Sequence, residues 1–290
     1  MKKEYIFIVL TAIIFSTIEL TGKIIGGELN AFQVTFIRFI IGAFILLPFA
    51  VRDMKEKHIS ININDILFLS LEGILCIPIS MSLLQLSVYY TKASTAAVVF
   101  CINPVFTIPF SYFILKEKVN KETLYSMIIS FVGVAVIFNP FKLSYDVKGM
   151  IITLMAAVAF SLYSVLSKKN INKYGGYVFN CFSFILGSIV LFFVLLTFNI
   201  PILKGITMNN LPILFYMGIV ITGIGYILFL YAIEKTSAVS AAAVFLLKPA
   251  IAPFLAFILI GEHIAINGFI GITLIIIGSY IGFKTKINKG

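Results

Sequence analysis

The sequence predicts an all-α membrane protein in which ten transmembrane helices form two inverted five-helix repeats (5+5). Three observations predict it. The 290-residue chain is 60% hydrophobic and only 12% charged, with a mean hydropathy of +1.08, whereas a soluble domain carries about 25% charged residues. Its apolar residues fall into continuous runs of about 20, the length that crosses a hydrocarbon core about 30 Å thick. The second half of the chain also resembles the first at an offset of 145 residues. A soluble enzyme, a disordered chain and a lone anchor carrying a folded soluble domain are excluded. A transmembrane β-barrel would need alternating segments about half as long as these runs.

The spans follow in order. Lys2 and Lys3 precede the first, at 5–25. This head is basic then apolar, like a signal peptide, but the run continues to Ile25 with no small-residue cleavage site and reads as a span. Gly26-Gly27 ends it, and the second, at 32–51, ends at Arg52-Asp53. The third (65–88), fourth (93–115) and fifth (122–139) follow, the last stopped by Asn139-Pro140. The second set lies at 147–167, 176–199, 209–233, 238–260 and 266–283, punctuated by Gly175-Gly176 and Asn209-Asn210. All three cysteines (Cys76, Cys101, Cys181) lie inside apolar runs, without metal-ligand spacing or a disulfide framework. With the N-terminus in the cytoplasm, 15 of the 22 Lys and Arg fall on inner segments, 5 on outer ones and 2 inside spans. Inner loops carry the positive excess, so both termini are expected in the cytoplasm of a multi-pass cell-membrane protein. The net charge of +10 then marks those loops rather than a nucleic-acid partner.

Sliding the chain by 145 residues gives 27 identities without a gap, seven of them between Thr91 and Pro104. Gly73 meets Gly218, Lys23 meets Lys168, Pro104 meets Pro249 and Glu117 meets Glu262. The chain therefore divides into repeats at 1–145 and 146–290. Five helices per repeat make the second enter the membrane from the opposite side, as in many secondary transporters, whose substrate sites lie at mid-membrane where the repeats meet.

The A-x-x-A-A-x-x-F-x-x-x-P pattern opening the fourth span recurs as AVSAAAVFLLKP in the ninth. With the Glu closing each (LKEK, IGEH), it resembles the EamA-type permeases of the drug/metabolite transporter superfamily. The resemblance covers the whole chain. It implies a carrier whose central cavity is walled by spans 1, 3, 4, 6, 8 and 9, with spans 5 and 10 outside. It also favours export as the direction. The first span of that family usually opens with Trp-Gly, where this chain, which has no Trp, reads Phe15-Ser16.

Four spans carry a charge: Glu19, Arg38, Glu72 and Lys248. Inside a membrane such residues mark function by default. Lys248 is ten residues into its span, about 15 Å deep at 1.5 Å per residue. Its repeat partner is Asn103, and each precedes a proline (Pro104, Pro249) expected to bend the helix and free the carbonyl of Phe100 or Phe245. Ala241, Phe245, Lys248 and Ala252 share one face, as do Ala96, Phe100, Asn103 and Thr107. Small residues, one aromatic and one polar group per face would build a pocket for a small polar molecule. Alternatively Lys248 is neutralised by Glu19 or Glu72 as a packing ion pair. The counterparts of those two acids are Ser164 and Met217, and such asymmetry fits an asymmetric cargo. A zwitterion's carboxylate would meet Lys248 and its ammonium a glutamate. Either acid could also carry a coupling proton. Tyr163, beside Ser164, is placed to line the cavity. Arg38 is expected to reach toward the outer headgroups. Glu117 and Glu262 are expected to hold turns by capping helix N-termini.

No span contains a histidine, His58 and His263 are single loop residues, and no catalytic motif is present. The expectation is a non-enzymatic carrier needing no cofactor or metal, a monomer or homodimer among membrane lipids, moving small polar metabolites by alternating access. Amino acids or related zwitterions are the favoured cargo. A carrier of cationic amines or drugs and a non-transporting scaffold or receptor are the alternatives. Reporter fusions at Lys57, Lys118, Lys173 and Gly290 should report cytoplasm, and fusions at Lys142 and Lys204 the opposite side. An exterior C-terminus would contradict the inverted repeat.

Overall fold

The computed structural model describes residues 3–116, 146–235, 238–241, 244–262 and 266–287, with scattered positions between 121 and 136. Among these the fold is helical. Seven helices are long and apolar enough to cross a membrane: Ile6–Ile24, Ala31–Glu56, Ile63–Tyr90, Ala93–Leu115, Val147–Tyr174, Gly176–Thr197 and Leu211–Lys235. They are the first four spans and the sixth to eighth. The ninth and tenth appear as helices Val244–Ile260 and Ile266–Ile287. The fifth expected span, 122–139, lies mostly outside the described residues, so the count of ten stays an expectation there.

Several helices are interrupted, and side chains explain where. The first span breaks at Ser16-Thr17 and resumes at Ile18. There the Ser16 hydroxyl donates to the Ala12 carbonyl at 2.6 Å and the Thr17 hydroxyl to that of Ile14 at 2.7 Å, bonds that compete with the helical ladder. The fourth span stops at Phe100 and restarts at Asn103, with Pro104 in the new first turn. The expected bend at Pro104 is thus a break into two half-helices, because a proline fits a first turn, where its missing N–H is not needed. Pro249 instead sits inside the helix Val244–Ile260. The third and eighth spans, which are repeat partners, widen into π-helical turns at Leu75–Met81 and Tyr216–Gly225. Hydroxyls serve carbonyls five residues back in both: Ser82 that of Ile77 at 2.9 Å, Thr222 that of Met217 at 2.8 Å.

The ends of the spans establish the inversion. Gln85 and Lys23 tie the end of the first span to the end of the third, donating to the carbonyls of Gly22 (3.1 Å), Val88 and Thr91 (both 2.8 Å). The end of the sixth reaches the start of the third, where Lys173 and Tyr174 donate to Asp65. The first span therefore runs parallel to the third and its repeat partner runs antiparallel. Lys168, the counterpart of Lys23, donates to the Ile233 (2.9 Å) and Glu234 (3.1 Å) carbonyls at the end of the eighth span. Each repeat thus places a lysine on a helix C-terminus, where unpaired carbonyls and the helix dipole favour a cation.

Glycines set the closest approaches, as expected where membrane helices pack by direct contact. Gly73 of the third span lies against Gly187 of the seventh, and their counterparts Gly218 and Gly42 bring the eighth against the second. A Cβ on Gly73 would stand 2.2 Å from the Ser183 carbonyl oxygen and 2.7 Å from the Gly187 nitrogen. Gly73→Ala should therefore lower the melting temperature of the purified protein by an overpacking penalty of at least about 1–3 kcal/mol. Gly176→Ala, with nothing within 4 Å of the new methyl, should change it little.

Candidate functional site

The charged residues of the spans turn inward. Two residues after the break in the first span, Glu19 is buried. The Lys248 ammonium donates to its Oε1 at 2.5 Å, with side chains 1% and 0% exposed. That nitrogen lies 5.1 Å from the Phe100 ring centre and 6.0 Å from that of Phe245, within cation–π range. Of the two partners open to Lys248 from the sequence, the structure selects Glu19. Its second oxygen, Oε2, finds no partner among the described residues. The rings of Phe15, Phe100, Phe160, Phe229 and Phe245 pack together around this point, with centroid separations of 5.5–6.3 Å.

The other expected residues separate into different environments. Asn103 is buried, but its amide donates to the Ala157 carbonyl at 3.1 Å and its side-chain oxygen accepts from Thr107 at 3.2 Å. The Ser161 hydroxyl donates to the Asn103 backbone carbonyl at 2.9 Å. Asn103 thus ties the broken fourth span to the sixth. Glu72 is buried, taking a hydrogen bond from Ser167 at 3.2 Å through Oε2, while Oε1 has no partner among the described residues. The Tyr163 hydroxyl lies beside Ser167 and Glu72. Ser164 is turned to its own helix, donating to the Phe160 carbonyl at 2.8 Å. Among the described residues no three His, Cys, Asp or Glu come close enough to hold a metal ion.

Arg38 corrects the reading of the sequence. It does not reach the outer headgroups but is 1% exposed. Its guanidinium lies over the Phe39 ring at 4.7 Å, within electrostatic reach of the Tyr226 hydroxyl, the Cys76 thiol and Glu19. A signal was present in the sequence. Ala31, Thr35, Gly42, Ala43, Leu46 and Ala50 form the stripe that the second span buries, and Arg38 falls on it at helical spacing.

Glu262 caps a helix, but in the other repeat. Its carboxylate accepts from the backbone N–H groups of Ala93 (2.9 Å) and Ser94 (3.0 Å) and from the Ser94 hydroxyl (2.7 Å) at the start of the fourth span. A charged acceptor on these free N–H groups locks the two repeats together. Glu117 lies outside the described residues.

The two ends of the bundle differ. At the end with Glu262, Gln33 donates to the Ile202 (3.0 Å) and Lys204 (2.9 Å) carbonyls. There too Asn210 bonds Glu28 at 2.8 Å and Tyr89 bonds the Leu29 carbonyl at 2.9 Å. That end is stitched shut. At the other, a cavity of about 640 Å³ opens among Asp53, Lys57, Lys173, Tyr177, Tyr231 and Glu234. Tyr174 lines its floor, and Phe179 lies between that ring and Tyr163.

The fold and the sequence have known relatives. A protein of known crystal structure superimposes with a TM-score of 0.71 over 97% of both chains at 15% identity, a likeness of fold alone. An uncharacterized transporter of Clostridium kluyveri is 54% identical over 99% of this chain and 94% of its own. An S-adenosylmethionine uptake transporter of Rickettsia prowazekii is 24% identical over 53% of this chain and 51% of its own. The model of the EamA-like transporter family matches residues 2–139 and again 147–283, each half of the inverted fold separately. The chain belongs to the EamA-like transporter family.

Proposed function

We propose that this multi-pass membrane transporter carries small zwitterions, amino acids or close relatives, by alternating access, and that the Glu19–Lys248 pair is where cargo is held. The pair itself supports the reading. Two opposite charges share one buried bond beside a helix break, in a bundle bonded across one end and carrying a cavity at the other. A zwitterion can replace each partner in turn, its ammonium taking Glu19 and its carboxylate Lys248, so neither charge is left alone in an apolar interior. A cationic amine would satisfy Glu19 while stranding Lys248, which weighs against the amine-carrier reading. The Rickettsia relative is named for the uptake of S-adenosylmethionine, a molecule with an amino-acid head. That name is in keeping with a zwitterion and leaves export as only one direction of the cycle, set by the gradients. Glu72 has a serine hydroxyl and no cation bonded to it among the described residues, so we assign it rather than Glu19 the role of carrying any coupling proton.

Neutralising one partner of a buried pair leaves the other uncompensated and costs about 3–5 kcal/mol. Lys248→Met and Glu19→Gln alone should therefore each lower the melting temperature sharply. The double variant should recover much of that loss, since no lone charge remains. In proteoliposomes the recovered double variant should carry no zwitterion. Normal flux through it would reduce the pair to packing.

A further inference from the structure

Of the four buried charges, Glu19 and Lys248 bond each other, Glu72 takes a serine hydroxyl, and Arg38 has no counter-ion bonded to it among the described residues. A guanidinium cannot shed its proton in a protein, so the second span holds a permanent positive charge in a 1%-exposed position. Two of its nitrogens, Nε and Nη1, find no acceptor among the described residues. A buried donor without a partner costs free energy, and a charged one more. The surroundings offset little of this. The Phe39 face at 4.7 Å contributes a cation–π contact, and the Tyr226 hydroxyl and the Cys76 thiol, which lie within electrostatic reach, bond each other at 3.7 Å. Glu19, also within electrostatic reach, already gives one oxygen to Lys248 and leaves the other, Oε2, unpartnered. Unfilled donors and an unfilled acceptor thus lie in one region without serving each other. The rings of Phe15, Phe39 and Tyr226, with centroids 5.3 Å and 5.6 Å apart, pack over the same region. The arrangement is that of a closed site whose occupant brings both a cation and an anion.

We infer that Arg38 is an anion-binding residue of the transport site and that the preferred cargo is an acidic amino compound with one ammonium and two acid groups. This rests on the zwitterion reading and narrows it. With the ammonium on Glu19 and one carboxylate on Lys248, the second acid group meets Arg38, whose planar fork matches a carboxylate. With Glu72 holding the proton assigned to it above, Glu19, Lys248 and Arg38 sum to +1 and meet a cargo of −1. A neutral zwitterion leaves Arg38 without a counter-charge.

The test uses the full-length protein in proteoliposomes with two pairs of probes that differ by one charge at nearly equal size, glutamate with glutamine and aspartate with asparagine. The wild type should favour the acid over its amide by at least about tenfold, the scale of one charge-assisted hydrogen bond. Arg38→Gln should bring that ratio close to one. Arg38→Lys, which keeps the charge and loses the fork, should retain the preference in weakened form, and it serves if the glutamine variant fails to fold. Amides carried as well as acids by the wild type, or an unchanged ratio in the Arg38 variants, would overturn the assignment while leaving the zwitterion reading intact. No flux or binding of any amino acid across a full panel would overturn both.

Discussion

An ionised group buried away from water is costly unless a counter-charge meets it, and the centre of this molecule is organised around that constraint. Lys248 is usable at mid-membrane only because Glu19 stands 2.5 Å away, and Glu19 reaches it from a helix loosened by Ser16 and Thr17. The rings around the pair keep water out, which strengthens the bond and raises the penalty for breaking it unaided. On the zwitterion reading proposed above, a cargo that supplies both charges at once avoids that penalty, and the same requirement would make the pair selective for a molecule of complementary charge.

Symmetry builds the frame and asymmetry builds the site. Lys23 and Lys168 close equivalent helix ends, Gly73–Gly187 and Gly218–Gly42 bring equivalent spans together, and π-helical turns recur in the third and eighth spans. In the alternating-access cycle proposed above, such repeat-related contacts would let the bundle exchange one closed end for the other. Here the Glu262 end is shut and the opposite end holds the cavity. The residues that break the symmetry are chemical. Glu19 faces Ser164 in the repeat register, Lys248 faces Asn103, Glu72 faces Met217 and Arg38 faces Ser183.

Much of this was legible in the sequence because bilayer physics leaves few solutions. Continuous apolar runs are helices, and an odd number of spans per repeat inverts the copy. The stripes Ala96-Phe100-Asn103-Thr107 and Ala241-Phe245-Lys248-Ala252 are buried, as helical spacing predicts. What failed were questions of partner and direction. Sequence depth put Arg38 near enough to the outer surface to reach out, and only the small-residue stripe on which it lies turns it inward. Asn103 was visible as a polar group at mid-depth, but its bond to Ala157 depends on how the sixth span crosses the fourth. Glu262 was recognisable as a cap, yet the helix it caps lies 169 residues away in the chain. The break at Ser16-Thr17 has no proline to announce it. Each of these is set by packing between distant segments, which periodicity along one chain does not encode.

The central claim is that the Glu19–Lys248 pair parts and re-forms as the carrier works. Cys101 is a native reporter of it, buried at the break in the fourth span and within electrostatic reach of both charges. With Cys76 and Cys181 replaced, the alkylation of Cys101 by a water-soluble maleimide can be followed in the folded, membrane-embedded protein. If the pair opens during the cycle, Cys101 will label at a measurable rate well below the melting temperature, and a transported zwitterion will change that rate. Labelling that occurs only on unfolding, at a rate indifferent to cargo, would contradict the claim and leave the pair as a fixed strut.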